Sequence, residues 1–395
     1  MKLASLFDGS GGFPLAAIRA GITPVWASEI EPFPIAVTRQ NIPQMKHLGD
    51  VSKINGATVE PVDIVTFGSP CQDMSVAGKR EGIQGKRSVL FFQAIRVISE
   101  MRKATNGRFP RYAIWENVLG ALSSNKGRDF ERVLLEFLAI SRRCSMARFN
   151  GAWRNAGAIL DCGFSLAWRV FDAQYWGVPQ RRRRIFLVAD FRGQRAPEIL
   201  FKRDGETRYP GESGEERTTA PGNIEGGVTR VFENHGRDAR YSEMKGACQT
   251  LTSYLGTGGN NQPLVLSTSS GDYHTRVNIN KAGSLKAGDY KDPPTVCNGV
   301  VIRRITPTEC ARLQGFPDSW AKVKPIPMEE VDFWRQAWDE WCEIANKQRK
   351  TEKQLTAWMA SPYTDNAEYK LWGNGVALPC VQYILNNLKG RYVLF

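Results

Sequence analysis

Apolar runs rich in β-branched and aromatic residues alternate with stretches of three- and four-residue apolar spacing through the first half of the chain. That alternation predicts a parallel sheet flanked by helices. KLASLF, VWASEI, DIVTFG and YAIWENV read as strands, with a shorter and weaker one around HLGDV. Between them, FPLAAIRAG and PFPIAVTRQNI read as short helices. SVLFFQAIRVISEM has a stronger helical period, its buried stripe carried by Val89, Phe92 and Ile95, or alternatively by Phe91 with Ile98. A second long helix, FERVLLEFLAIS, precedes two more strand-like runs, SLAWRVFDAQYWG and RRIFLVAD, joined by the basic turn VPQRRRR.

The pattern dissolves after Phe191. As far as about Gly299 the chain is Gly, Thr, Ser, Asn and charge with little period, which reads either as a loop-rich second domain or as linker. Periodicity returns in the stretch 321–369, where Val331, Trp334, Trp338, Trp341 and Ile344 fall on one helical face and predict an amphipathic helix packed on the body. GNGVALPCVQYILNNL closes the pattern as a turn and an apolar helix able to return to the first domain.

Composition adds bounds. A chain of 395 residues, 42% hydrophobic and 24% charged, is ordinary for a globular protein of one large and one smaller domain. No apolar run reaches the roughly 18 residues needed to span a bilayer, and Asp8 interrupts the N-terminal run too early for a signal peptide, so a cytoplasmic protein is expected. The 8 cysteines are scattered without a CxxC pair beside only 3 histidines, so neither a zinc site nor a disulfide framework is expected. A net charge of +13 fits a polyanionic partner, although a merely soluble basic protein would also carry it.

Ligands of open α/β sheets sit beyond the carboxyl ends of the strands, and there the candidate chemistry collects. The first predicted strand ends in Phe7, Asp8, Gly9, Ser10, Gly11 and Gly12; the second in Glu29; the weak third in Asp50; the fourth in Pro70 and Cys71; the fifth in Glu116 and Asn117. The DGSGG turn lets backbone approach a nucleotide-like group, yet it is not GxGxxG and reads equally as a tight connection. Glu29 has the position of a ribose-binding carboxylate or of a surface residue starting a helix. Cys71 by itself is more often a small buried apolar residue than a nucleophile. Glu116 changes that balance, because a carboxyl group beside a thiol can protonate a heteroaromatic ring that the thiol attacks. Arg181, Arg182, Arg183 and Arg184 form either a phosphate and carboxylate clamp or a solvated basic turn.

Taken in order, these motifs resemble the DNA cytosine-5 methyltransferase family of prokaryotic and phage type. SLFDGSGGF resembles its cofactor glycine motif, SEIEPF its ribose segment, and GDV its adenine turn. GSPCQDMSVAGKR resembles the nucleophile motif and WENV the acid motif. QRRRRIF, RRITPTECARLQGFPDSW and GNGVALP resemble the arginine motif, the border of the recognition domain and the C-terminal motif.

The resemblance implies a Rossmann-like α/β fold that binds S-adenosyl-L-methionine, with a smaller loop- and β-rich target recognition domain. The implied division is 1–190 for the catalytic body, 191–320 for recognition, 321–369 for a helical insert, and 370–395 for a segment returning to the body. It implies catalysis by Cys71, Glu116, Arg182 and Arg184. Phe7, Asp8, Gly9, Gly11, Gly12, Glu29, Ile30, Asp50, Val51, Pro70, Leu90, Asn374 and Val376 would line the cofactor site. Gln72, Ser75, Gly78, Lys79, Arg80, Asn117, Thr250 and Gly258 would meet DNA, and no metal is implied.

In that scheme Cys71 adds to carbon 6 of a flipped-out cytosine while Glu116 holds ring nitrogen 3 protonated, making carbon 5 nucleophilic toward the methyl donor. Double-stranded DNA is the expected partner of a monomer, with a cognate restriction endonuclease as a possible companion. Two alternatives stay open: a tRNA cytosine methyltransferase on the same scaffold, and a DNA-binding relative without turnover. Two departures stand out. Gly375 follows Asn374 where the family commonly has serine, and Ala77 lies where some relatives carry serine.

Overall fold

The computed structural model describes residues 1–69, 89–141, 153–201, 228–235, 240–244, 264–267 and 301–390. The first half lays down β1 (Lys2–Leu6), α1 (Gly12–Arg19), β2 (Thr23–Ser28), α2 (Pro32–Asn41), β3 (Lys46–His47), β4 (Ile64–Phe67), α3 (Val89–Ala104) and β5 (Tyr112–Val118). There follow α4 (Arg128–Ser141), β6 (Ala156–Asp161), β7 (Phe164–Asp172), β8 (Arg183–Asp190) and α5 (Ala196–Leu200). The strands form one sheet in the order β3-β2-β1-β4-β5-β8-β7-β6. β3 to β5 run parallel, whereas β8 opposes β5 and β7 and β6 continue antiparallel.

Both sheet faces are covered, which explains why the central strands read as apolar runs. Leu3, Ile64, Ile114 and Val188 point into a core shared with α1, α2, α5 and the C-terminal helices, while Ala4, Leu6, Val65, Phe67, Trp115 and Leu187 point to the other side, under α3 and α4. On α3 the buried residues include Phe91, Ala94, Ile95 and Ile98, which joins Phe91 and Ile98 of the second predicted register to Ile95 of the first, while Phe92 is only partly buried.

The predicted YAIWENV and RRIFLVAD strands coincide with β5 and β8. The weak HLGDV strand shrinks to Lys46–His47, and SLAWRVFDAQYWG ends as a strand at Asp172 before a short turn of 3-10 helix, Ala173–Trp176. The edge strand β6 escaped the sequence pattern because it opens on Ala156, Gly157 and Ala158. Gly157 lies under the Trp168 indole so closely that a Cβ would stand 2.2 Å from the ring, and glycine weakens any strand signature.

β9 (Val228–His235), β10 (Arg240–Met244), β11 (Leu264–Ser267) and β12 (Val301–Arg304) make a separate antiparallel sheet in the order β10-β9-β11-β12. The body reaches past residue 190 nonetheless: Ala196, Ile199 and Leu200 of α5, then Ile305, Cys310, Leu313, Phe316 and Trp320, are buried in the core beneath α1. α6 (Pro307–Gln314) opens on a Thr306/Glu309 capping box and stops at left-handed Gly315. α7 (Val331–Ile344) spans the predicted tryptophan helix, followed by α8 (Glu352–Ala360), α9 (Asp365–Asn374) and α10 (Leu378–Lys389), which packs on α1 and α5. Among the described residues no helix is long and apolar enough to cross a membrane.

Candidate active site

The parallel strand order reverses between β1 and β4, and a crevice opens at such a switch point beyond the strand ends. DGSGG leaves β1 on one side of it and GSPC leaves β4 on the other. Phe7, Gly9 and Gly11 all take positive φ, at 55°, 55° and 74°, folding the first turn back so that α1 can start at Gly12. Gly12 has no room for a side chain: a Cβ would lie 2.5 Å from Val376 Cγ2.

Glu29 organises this turn. Its Oε2 accepts the Gly9 amide at 2.8 Å and its Oε1 accepts the amides of Ile30 and Glu31 at 2.8 and 2.9 Å. Burial, then the neighbouring Glu31 charge, pushes the Glu29 carboxyl above its usual range against the pull of those amides. Asp8 is 6% exposed, and neither carboxylate oxygen has a hydrogen-bond partner among the described residues. Desolvation pushes its pKa up to about 8, with Glu29 adding to the rise and the nearby Ser5 hydroxyl opposing it.

Asp50 caps the 3-10 turn Val51–Lys53, accepting from the Ser52 amide at 2.9 Å and its hydroxyl at 2.7 Å. This turn is joined to the end of β2, since Ser28 Oγ donates to the Gly49 carbonyl at 2.7 Å. Val51 is buried, whereas Ile30, Asp50 and Leu90 are half-buried around the same end of the sheet.

On the other side of the switch point stands Glu116, 9% exposed on β5. Because β8 runs against β5, its first residues return to the same rim, and Arg184 Nε pairs with Glu116 Oε1 at 3.2 Å. Burial raises the Glu116 carboxyl, and Arg184 and then Arg182 pull it back. Desolvation depresses both arginines, Arg182 more strongly, yet a guanidinium stays charged in proteins.

Gly68 passes directly over the acid: a Cβ there would stand 3.1 Å from Glu116 Oε2. Ser69 is gripped from β5, with Trp115 Nε1 donating to its hydroxyl at 3.3 Å and Asn117 Nδ2 to its carbonyl at 3.5 Å. The chain is thus fixed beside Glu116 two residues before Cys71. Pro70, Cys71, Gln72, Ser75, Gly78, Lys79, Arg80, Thr250 and Gly258 lie outside the described residues, as does Ala77. Asn117 is 3% exposed, its Oδ1 accepting the Val118 amide at 2.7 Å, which makes it a support for the Ser69 turn.

Arg182 is 3% exposed and points to the C-terminal junction, donating to the Gly375 carbonyl at 2.6 Å and the Gly373 carbonyl at 3.3 Å around exposed Asn374. The glycine where a serine was expected has a local reason. A Cβ at 375 would stand 2.8 Å from Ser10 Oγ, so Ser10 of the first glycine turn already fills that space.

Ser10, marked from sequence only as part of the glycine turn, is buried and its carbonyl accepts from Trp320 Nε1 at 2.8 Å. Two further residues of this rim escaped sequence reasoning. Asp172 accepts the Arg182 amide at 3.1 Å, and Cys380 is buried close enough to Glu116, Arg182 and Asp172 that burial and charge hold its thiol protonated. Asp172 carried a usable signal, an acid closing the strand before the basic turn; Cys380 carried none without the tertiary contact.

The fold and this rim define a doubly wound α/β protein whose ligand crevice joins a glycine turn to a buried acid. Solved structures agree at the level of fold. A Schizosaccharomyces pombe Dnmt2 methyltransferase superposes over 98% of this chain and 97% of its own with a TM-score of 0.53 at 17% identity. The Entamoeba histolytica methyltransferase EhMeth covers 98% and 97% with a TM-score of 0.51 at 12% identity. Residues 1–146 and 156–330 match the family described as C-5 cytosine-specific DNA methylase, and the chain belongs to that family.

Among characterised relatives, the Type II methyltransferase M.DsaV of Dactylococcopsis salina is 26% identical over 85% of this chain and 81% of its own length. M.NgoFVII of Neisseria gonorrhoeae is 26% identical over 82% and 79%. An Escherichia phage P1 protein named DNA N-6-adenine-methyltransferase is 27% identical over 92% of this chain, which spans only 58% of that relative.

Proposed function

We propose that the chain transfers a methyl group from S-adenosyl-L-methionine to carbon 5 of cytosine in duplex DNA. The observation that carries the proposal is Glu116: a buried carboxyl, raised by desolvation and steadied by Arg184, beside the Gly68 and Ser69 turn that leads to Cys71. Raised burial favours the protonated acid, the form able to donate to ring nitrogen 3. Addition of the Cys71 thiolate to carbon 6 then makes carbon 5 an enamine carbon. After methyl transfer, loss of the carbon 5 proton expels the thiolate and restores the ring. Flipping the base out of the duplex costs a few kcal/mol, offset by pocket and phosphate contacts.

The residues present fit the methyl donor. The two buried acids of the first turn, Asp8 with no hydrogen-bond partner among the described residues and Glu29 with one of about four acceptor positions unused, form a pocket floor with free acceptors. A cationic sulfonium nucleoside above it would favour release of the proton that burial keeps on Asp8. Bound there, the cofactor supplies an electrophilic methyl group. Glu29 would receive ribose hydroxyls, Asp50 the adenine amine, and Val376 packed on Gly12 would close the pocket from the C-terminal side. Base reading belongs to the segment carrying β9 to β12, and the Type II names of the relatives fit a companion endonuclease of the same specificity in the cytoplasm.

Expression in a methylation-free host, with bisulfite sequencing and nucleoside digestion of its DNA, tests the reading. The expected product is 5-methylcytosine within one sequence context. N6-methyladenine as the sole product, or label from the methyl donor entering tRNA and not DNA, would overturn it.

A further inference from the structure

The tryptophan-bearing helix α7 is attached to the turns that resemble cofactor segments. Arg39 of α2, the helix that follows Glu29, pairs with Glu330 at 2.9 Å and stacks on the Phe333 ring at 4.1 Å. One helical face further on, Glu340 reaches the 49–53 turn. Gly49, at φ 67°, leaves a notch where a Cβ would stand 2.5 Å from Glu340 Oε2, and the other carboxylate oxygen holds Lys53 Nζ at 2.5 Å. Glu340 is 16% exposed and Lys53 61%.

Lys53 stands two positions beyond Val51 and feels the charges of Glu340, then Asp50, then Glu343. Among the described residues, the Asp50 carboxylate accepts only within its own turn, from Ser52. Without Glu340, the ammonium on its flexible stem is left with Asp50 of its own turn and, more weakly, Glu343 of α7. A lysine seated on Asp50 would occupy the acceptor that an adenine amine requires.

We infer that α7 serves the cofactor site, with Glu340 as a positioning residue: it fills the Gly49 notch and draws Lys53 away, keeping Asp50 open to the adenine amine. This rests on the proposed methyl-donor reading. The insert then has a task unrelated to base recognition, and it explains why a helix so far along the chain carries an acid aimed at residue 49.

Calorimetric titration with S-adenosylhomocysteine separates the possibilities. Glu340→Ala should weaken binding about two- to fivefold, the range of a partly exposed ion pair. Glu340→Gln, which keeps the shape, should weaken it less. Adding Lys53→Met to Glu340→Ala should restore the affinity to near wild type, because the competitor is gone. In turnover the single variant should raise KM for the methyl donor with kcat and duplex affinity held. Unchanged affinity in Glu340→Ala overturns the inference, and so does a loss that Lys53→Met fails to rescue, which would make Glu340 a packing residue of α7. If the wild-type protein binds no S-adenosylhomocysteine, the methyl-donor reading itself falls and takes the inference with it.

Discussion

Two buried acids at the strand ends have different tasks, and pH distinguishes them. In the proposed reaction Glu116 acts when protonated, and its carboxyl lies above the ordinary range, so kcat should fall as pH rises through that raised value. Glu116→Gln should lower kcat by about 10²- to 10⁴-fold and flatten that limb, while affinity for S-adenosylhomocysteine stays within about twofold. A steady-state pH profile on both proteins checks this.

Asp8 is a liability of folding. Its pKa is about 8 in the folded chain against 3.8 as a free side chain, so below about 4 both states carry the proton and no penalty exists. Above that, the folded state must keep a proton the unfolded chain has released, at a penalty of about 1.4 kcal/mol per pH unit until ionisation near 8. Asp8→Asn should therefore raise the melting temperature in the absence of cofactor, by a margin that grows from pH 5 to pH 8. A margin independent of pH would mean that Asp8 is not held protonated.

At the scale of elements, the site is a meeting of chain ends. The Asn374 junction is held by Arg182 from β8 and pressed against Ser10 from the first turn. Gly375→Ser should cost about 1 to 3 kcal/mol by overpacking, and Ser10→Gly in the same chain should recover much of it. Urea denaturation of the two single variants and the double variant measures the coupling, and additivity would refute the contact.

The strands and helices of the body were legible in sequence because burial on both sides leaves apolar runs of decisive length, as in YAIWENV. The face of α3 and the strand β6 were not, since Phe91 and Phe92 are equally apolar and Gly157 hides a strand beneath Trp168. Within the site, Glu29, Glu116 and Arg184 could be marked from strand ends alone. The turning of Arg182 toward Gly375 could not, because it depends on a partner almost two hundred residues away.

For the molecule as a whole, net charge makes its own prediction. If the +13 balance serves phosphates, duplex affinity must fall with salt. Even about two phosphate contacts give at least about a tenfold loss between 50 and 200 mM salt, measurable by fluorescence anisotropy. A flat response would assign the charge to solubility alone. The docking of α10 on α1 has a consequence for how the crevice could open. α10 is held by packing and not by strand pairing, so its release would uncover an apolar flank of α1 and withdraw Val376 from Gly12 while the sheet stays paired. That wall of the crevice is then only as steady as the seating of one helix.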